Sequence, residues 1–413
     1  MIIIHTMNGS VLPRLAAVRV ASDLRTMPAV VLTGARQTGK STLAGMLAPK
    51  GRRYLSLDDL DVLDLARRDP DALIRGRSPL TLDEVQREPG LLLAVKRSID
   101  RTRTPGRFLI TGSANLLSMQ RVSESLAGRA SYLSLRPMTR REQLGIGTCG
   151  LWDELLSVPD AQWLDLLAGQ EEIREDWREL ARRGGFPTPA LTMRAARERA
   201  VWFEGYARTY LERDLRDLSA ITALPDFRRL MRAACLRLGR LLNQTELGRD
   251  VALPQPTVYR YLNLLETSYL LTRIAPYAVN RTKRLIKSPK LYWSDTGLAL
   301  HLAGISEPEG AHLENLVLTD LLAWRDTRLG RVEILFWRTT TGDEVDFVIE
   351  SGNQLVPVEV EAAGRPRLRD ASSLLAFRRE YRDTARAGLL LHAGSELRWL
   401  TEGVLAAPWW RVL

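Results

Sequence analysis

The hydrophobic pattern changes period several times along the chain, and each change marks an element. Ala29-Val-Val-Leu-Thr33 is a short continuous apolar run, the pattern of a strand buried on both faces of a parallel sheet. Pro79-Leu-Thr-Leu-Asp83 and Arg107-Phe-Leu-Ile-Thr-Gly-Ser113 repeat that pattern, with helical periodicity between them. Strands alternating with helices predict an α/β unit built on a parallel sheet over residues 1–145. Residues 146–228 read differently. Trp152, Trp163, Trp177 and Trp202 sit among acidic, leucine-rich helical stretches broken by Arg183-Gly-Gly-Phe-Pro-Thr-Pro189, which predicts a helical connector or lid containing an insertion. Residues 229–300 predict a compact helical unit with a turn. Residues 301–413 return to helix, strands and helix, a second α/β domain.

The turn after the first strand carries the clearest chemistry. Gly34, Ala35, Arg36, Gln37, Thr38, Gly39, Lys40, Ser41 and Thr42 satisfy G-x-x-x-x-G-K-[ST], after a strand and before a helix. Glycines let backbone N–H groups close around a phosphate, and the helix N-terminus adds positive dipole. Lys40 is expected over the β- and γ-phosphates of ATP, and the Ser41 hydroxyl on Mg²⁺. Asp83 and Glu84 end the second apolar run. There Asp83 would hold the metal and Glu84 would activate the attacking water. Ser113 ends the third run, placed to sense the γ-phosphate or the water, although a plain strand-to-loop turn accounts for it equally well. Arg129, in Leu126-Ala-Gly-Arg129, is a candidate arginine finger from a neighbouring subunit, which would require a homo-oligomer.

Composition narrows the setting. The 413 residues carry 59 Lys and Arg against 49 Asp and Glu, a net charge of +10, which suits an acidic polymer such as DNA. Arginine-rich composition is the alternative source of that charge. Yet three of the six lysines, Lys283, Lys287 and Lys290, fall within eight residues. Two cysteines, Cys149 and Cys235, form no metal pattern or disulfide framework, and four scattered histidines give no zinc site. No apolar run approaches the roughly 18–20 residues needed to span a bilayer, and Met1–His5 lacks the features of a signal peptide. The expectation is a cytoplasmic protein without a membrane partner.

The motifs Gly34–Thr42, Leu82-Asp-Glu-Val-Gln86 and Thr111-Gly-Ser113 resemble those of the AAA-type ATPases of bacteria and archaea that carry a C-terminal domain of unknown function. Arg183-Gly-Gly-Phe-Pro187, Thr209-Tyr-Leu-Glu-Arg-Asp214, Lys287-Ser-Pro-Lys290 and Asp343-Glu-Val-Asp-Phe347 look like later motifs of the same family. The likeness covers nearly the whole chain and is weakest over 145–180. It implies ATP binding and hydrolysis and leaves the biological role open.

Thr245-Glu-Leu-Gly-Arg-Asp-Val251 followed by Pro256-Thr-Val-Tyr-Arg-Tyr-Leu-Asn-Leu-Leu-Glu266 reads as helix, turn, helix, with Leu247, Val251, Val258, Leu262 and Leu265 facing inward. Tyr269-Leu-Leu-Thr-Arg-Ile274 then reads as a wing strand, so the module is similar to a winged helix. Thr257, Arg260, Tyr261 and Asn263 are the outward candidates for DNA contact. Residues 273–290 add Arg273, Arg281, Lys283, Arg284, Lys287 and Lys290 with no acid among them, a basic wing beside a recognition helix. A winged helix that packs on protein is the alternative.

The C-terminal segment resembles the restriction-endonuclease-like PD-(D/E)xK fold. Glu314 lies in a helix, Asp346 in a strand, and Glu359 in the next strand, a candidate second metal site. The position that resemblance reserves for lysine holds Glu361, which would oppose charge building up on a phosphate, with Arg338 or Arg365 as substitutes. Carboxylates at exposed strand ends are the alternative. The leading expectation is therefore an Mg²⁺-dependent ATPase coupled to DNA binding or remodelling. The rivals are an ATP-gated switch with a protein partner and a metal-dependent nuclease.

Overall fold

The computed structural model describes residues 11–47, 51–113, 126–209 and 223–413. The segment 1–10 and most of the motif at 209–214 lie outside the described residues. Among the described residues, the N-terminal sheet has five parallel strands: β1 (Ala29–Thr33), β2 (Arg53–Ser56), β3 (Leu80–Asp83), β4 (Phe108–Thr111) and β5 (Ala130–Ser134). Their spatial order is β2–β3–β4–β1–β5. Strand alternation divides the core. Ala29, Val31, Leu82, Phe108 and Ile110 pack under α3 (Leu60–Arg68) and α4 (Leu91–Arg101). Val30, Leu32 and Leu109 pack with α1 (Ala16–Thr26) and α2 (Lys40–Met46) on the other face. The three strands legible as apolar runs, β1, β3 and β4, are the central ones, buried at every position. The edges β2 and β5 are half-exposed and polar, so a search for continuous apolar runs passes over them.

The tryptophan-rich stretch is not a free lid. Its helices α5 (Trp152–Ser157) and α6 (Trp163–Ala168) pack against the far C-terminal end of the chain. Leu151 N–H donates to the Val412 carbonyl at 3.0 Å, Trp152 Nε1 to Asp320 at 2.6 Å, and the Arg411 guanidinium to the Leu167 carbonyl at 3.0 Å. Next come α7 (Trp177–Arg183) and α8 (Ala196–Tyr206). Between them the Gly184-Gly185 turn, with Gly184 at φ 69°, is fixed by a side chain more than a hundred residues away. Asp295 accepts from Gly185 N–H at 2.6 Å and Phe186 N–H at 3.2 Å, and also caps α13 (Thr296–Ala303) through Leu298 N–H at 2.7 Å. Here α13 completes a series that first runs α9 (Leu224–Cys235), α10 (Gln244–Asp250), α11 (Gln255–Thr267), β6 (Leu271–Ile274), α12 (Arg281–Ile286) and β7 (Lys290–Trp293). Strands β6 and β7 pair antiparallel. Leu247, Val251, Val258, Leu262 and Leu265 are buried as their spacing predicts.

The C-terminal segment opens with α14 (Gly310–Thr327) and places β8 (Val332–Arg338), β9 (Glu344–Ser351) and β10 (Gln354–Glu361) as an antiparallel meander. The chain crosses over through α15 (Ser372–Glu380) to β11 (Gly388–His392), parallel to β10, and ends with β12 (Arg398–Thr401) and β13 (Val404–Pro408). The strand order is β12–β13–β11–β10–β9–β8. Helix α14 joins this sheet to the preceding module. The Asn315 side chain exchanges two 2.9 Å hydrogen bonds with the Trp293 backbone, pairing the free edge of β7 as another strand would. Among the described residues no helix is long and apolar enough to cross a membrane.

Candidate functional site

A parallel sheet gathers its strand ends on one edge, and loops there can converge on a ligand. That edge holds the loop from Gly34 to Thr42. Gly34 sits at φ 138° and Gly39 at φ 91°, both in the left-handed half of the map, and Gln37 at φ 64° shares that conformation. A Cβ on Gly34 would collide with the Leu135 carbonyl, so the tight turn at the end of β1 needs glycine. Thr38 closes the loop through a 3.0 Å bond to the Ala35 carbonyl. Arg14 holds it from behind, donating to the Thr38 carbonyl at 2.7 Å and to Glu142 at 3.0 Å.

Lys40 and Ser41 open α2. The Lys40 ammonium is buried and donates to the Gly34 and Ala35 carbonyls at 3.2 and 2.7 Å. Burial brings its pKa down to about 8, against the pull of Glu84 and Asp83, while Arg36 adds to the lowering. The ammonium is thus held over the loop by weak carbonyl acceptors. An anionic phosphate is a much stronger partner for it. Asp83 is the centre of the opposite wall. It accepts from Ser41 Oγ at 2.9 Å, from Ser56 Oγ at 3.4 Å and from the Thr111 hydroxyl. Burial, then the Asp83 charge, raises the Tyr54 phenol above its usual range. A carboxylate beside a serine hydroxyl is a hard oxygen set, and it fits Mg²⁺.

Glu84 stands next to Asp83 at φ 57°, a left-handed conformation unusual for a side-chain-bearing residue. Its carboxylate accepts from the Gln86 amide, whose oxygen in turn accepts from Ser113 N–H at 3.2 Å. Ser113 is buried, and its hydroxyl has no partner among the described residues. The expected residues Lys40, Ser41, Asp83, Glu84 and Ser113 therefore do converge. Thr111, Tyr54, Ser56 and Gln86 join them without having been singled out. Thr111 and Gln86 lie inside the quoted motifs, while Tyr54 and Ser56 lie on the polar edge strand β2. Arg129 is not at this edge. It precedes β5, at the opposite end of the sheet, in a two-pronged pair with Asp100 at 2.6 and 3.0 Å.

Two contacts tie the loop to the middle module. Tyr206 donates to the Arg36 carbonyl at 3.4 Å, and the Tyr269 hydroxyl lies 2.9 Å from Thr33 Oγ1, on the residue just before Gly34. Tyr269 itself is held at φ 59°.

The basic surface is smaller than the sequence suggests. Tyr261 is buried edge-on to Phe227 at 5.1 Å, not outward. Its spacing of three and four residues from Val258 and Leu265 puts it on the inner face. Asn263 is half-buried and accepts from Arg273 at 2.7 Å. Arg284 is buried, bonded to Glu333 at 3.0 Å and Glu350 at 2.6 Å, and stacked over the Tyr277 ring. Lys290 is buried among Glu344, Asp346 and Glu314 at 2.6, 3.0 and 3.2 Å. The segment has no acid of its own, but the C-terminal domain supplies them. Arg260, Lys283 and Lys287 are exposed and Thr257 is half-buried.

The same ion pairs alter the second metal site. Glu314 also accepts from the Tyr292 hydroxyl, and burial with the Asp346 charge pushes its pKa up to about 8. Burial, then Asp346, raises Glu359 well above the carboxylate range. Among the described residues no group of three or more Asp, Glu, His or Cys side chains is arranged to hold a metal ion. Glu314, Asp346 and Glu359 do not fit one. A metal site needs ionised carboxylates, and here Lys290 compensates Glu314 and Asp346. Arg338, the expected substitute cation, pairs with Glu344 at 3.1 Å.

Residues 26–144 match the AAA domain family, and residues 174–309 and 309–412 match two domains of unknown function, DUF8612 and DUF4143. The chain is 33% identical over 361 residues to the uncharacterized proteins Rv2008c of Mycobacterium tuberculosis and Mb2031c of Mycobacterium bovis, covering 85% of this chain and 74% of each relative. Among solved structures it is similar to the Walker-type ATPase PABY2304 of Pyrococcus abyssi, with 15% identity and a TM-score of 0.45 over 71% of this chain and 99% of that one.

Proposed function

The chain belongs to one family with the mycobacterial proteins Rv2008c and Mb2031c, its N-terminal part being an AAA-type P-loop ATPase domain, and on that premise we propose that it hydrolyses ATP with Mg²⁺ and signals its nucleotide state to the middle module. The observation that carries this reading is the convergence of Lys40, Ser41, Asp83 and Glu84 on one loop. Ser41 and Asp83 would hold Mg²⁺, whose charge stabilises the leaving phosphate. Glu84 takes a proton from water as its oxygen bonds to the γ-phosphorus. The bond to the β-phosphate oxygen breaks, and ADP leaves with that electron pair. The Thr33–Tyr269 and Arg36–Tyr206 contacts give the middle module a direct connection to the loop. Lys40→Ala is expected to lower ATP affinity by roughly 10²-fold, because it removes the ammonium over the β/γ-phosphates. Titration with a fluorescent ATP analogue measures it, and wild-type affinity would remove the loop from the reading.

The reading extends to DNA through exposed Arg260, Lys283 and Lys287 beside the half-buried Thr257, with the chain's net charge of +10. Lys283→Ala with Lys287→Ala should weaken duplex binding and lower the slope of log affinity against log salt by about 0.9 for each lost phosphate contact. Binding and slope equal to wild type would favour a protein partner. That second reading has its own support. Leu285 and Ile286 beside those lysines are 84% and 80% exposed, and phosphates offer nothing to two large aliphatic side chains.

A further inference from the structure

Helix α12 has its polarity reversed. Its one buried side chain is an arginine, Arg284, held by Glu333 and Glu350 and laid over Tyr277. Asn280 caps its first turn by accepting from Thr282 N–H at 3.0 Å. The helix is therefore fixed to the edge strand of the C-terminal sheet by charge. What it offers to solvent is apolar: Leu285 and Ile286, with Val279 just ahead at 75% exposure. Arg281, Lys283 and Lys287 rim this patch. Anchoring a cation inward and two aliphatic residues outward leaves apolar area in water, at about 25 cal/mol per Å². That arrangement is stabilised when another surface covers the patch.

The chain carries a surface of matching character. On α3, Leu60, Asp61, Asp64 and Leu65 fall on one helical face, opposite the buried Leu63 and Ala66. Leu60 is 74% exposed and Leu65 42% exposed. Asp58 and Asp59 precede them, and the basic residues Arg67 and Arg68 come only at the helix end. Other strongly exposed aliphatic residues, such as Val18, Leu329 and Leu368, have arginine as an immediate neighbour and would repel a basic patch. Charge and apolarity together select α3. It follows β2, whose Ser56 bonds Asp83, so the acidic face adjoins the ATP site.

We propose that the apolar, basic face of α12 docks on the acidic, apolar α3 face of a second copy of this chain. The inference deepens the protein-partner reading by naming the partner. The contact is heterologous, head to tail, so copies build a ring or an open chain rather than a closed pair. Each nucleotide edge would then sit beside its neighbour's middle module.

Sedimentation velocity of the full chain over a concentration series at low salt tests this. Wild type should show mass growing beyond the monomer, reduced in high salt. Leu285→Asp with Ile286→Asp, and separately Lys283→Glu with Lys287→Glu, should each remain monomeric with wild-type melting temperature. Asp61→Lys with Asp64→Lys should also remain monomeric. Mixing the lysine-reversed and aspartate-reversed chains should restore a two-chain species, because one of the two faces on each is now complementary to the other. A monomeric wild type at every concentration, or charge reversal that leaves the mass unchanged, overturns the proposal. If reversal at Lys283 and Lys287 abolishes duplex binding while mass is unaffected, the patch is a DNA contact and self-docking is refuted. ATP titration of the same samples reports separately on the ATPase reading.

Discussion

Glu84→Gln is expected to bind ATP like wild type and to hydrolyse it roughly 10²–10⁴-fold more slowly. The amide keeps the length and branching of the side chain and loses the basic oxygen. The site is built to hold that oxygen in place. The backbone at φ 57° turns the side chain back across the ends of β3 and β4. The Glu84 N–H reaches the Thr111 hydroxyl at 3.4 Å, and Gln86 bridges the carboxylate to the Ser113 backbone. A left-handed non-glycine residue costs on the order of 1 kcal/mol or more, and such strain collects where an orientation serves the chemistry. Single-turnover hydrolysis alongside a binding titration separates the two effects. A wild-type rate with wild-type affinity would assign the proton transfer to another group. Loss of affinity as large as the loss of rate would mean that the carboxylate supports the loop rather than the water.

Much of this site is legible in the sequence, for a physical reason. Phosphate binding by backbone N–H groups fixes glycine positions locally, so the loop is written in nine consecutive residues. Central parallel strands are buried on both faces, so β1, β3 and β4 announce themselves as apolar runs. The helix pair over 244–267 was equally readable from its period, and the same period contained the error about Tyr261, which belongs with Val258 and Leu265 rather than with Arg260. What the sequence could not reveal are pairings between residues far apart. Asp295 organises the Gly184–Gly185 turn from 110 positions away. Acids at 314, 333, 344, 346 and 350 neutralise Arg284 and Lys290. A run of basic residues says nothing about which of them will find partners once the chain closes. The tryptophans of α5 and α6 looked like a connector because their packing surface, the end of the chain around Val412, lies more than 240 residues on.

Lys290→Ala is expected to destabilise the protein by about 3–5 kcal/mol, the range for breaking a buried ion pair by removing one partner. The lysine is 2% exposed and serves three carboxylates from two elements, Glu314 on α14 and Glu344 and Asp346 on β9. Burial alone would lower its pKa. The combined attraction of Asp346, Glu314 and Glu344 outweighs that, so it stays charged at any physiological pH. Without it, these acids and Glu359 repel one another in a site with little water. The pH dependence follows from the direction of the Glu314 shift. In the folded protein that carboxyl keeps its proton up to about pH 8, whereas in the unfolded chain it loses it near the ordinary glutamate value. The folded state thus binds more protons across that window, and its stability falls as pH rises through it. The mutant lacks the cation that favours ionisation, so its loss should extend to higher pH and exceed that of wild type at pH 9. Urea denaturation at pH 6 and pH 9 measures both effects. Lys290→Met combined with Glu314→Gln should recover part of the loss at pH 9, because it removes the charge left unpaired. A Lys290→Ala protein within about 1 kcal/mol of wild type at both pH values would show that water screens this cluster, contrary to the burial and bonding of the lysine.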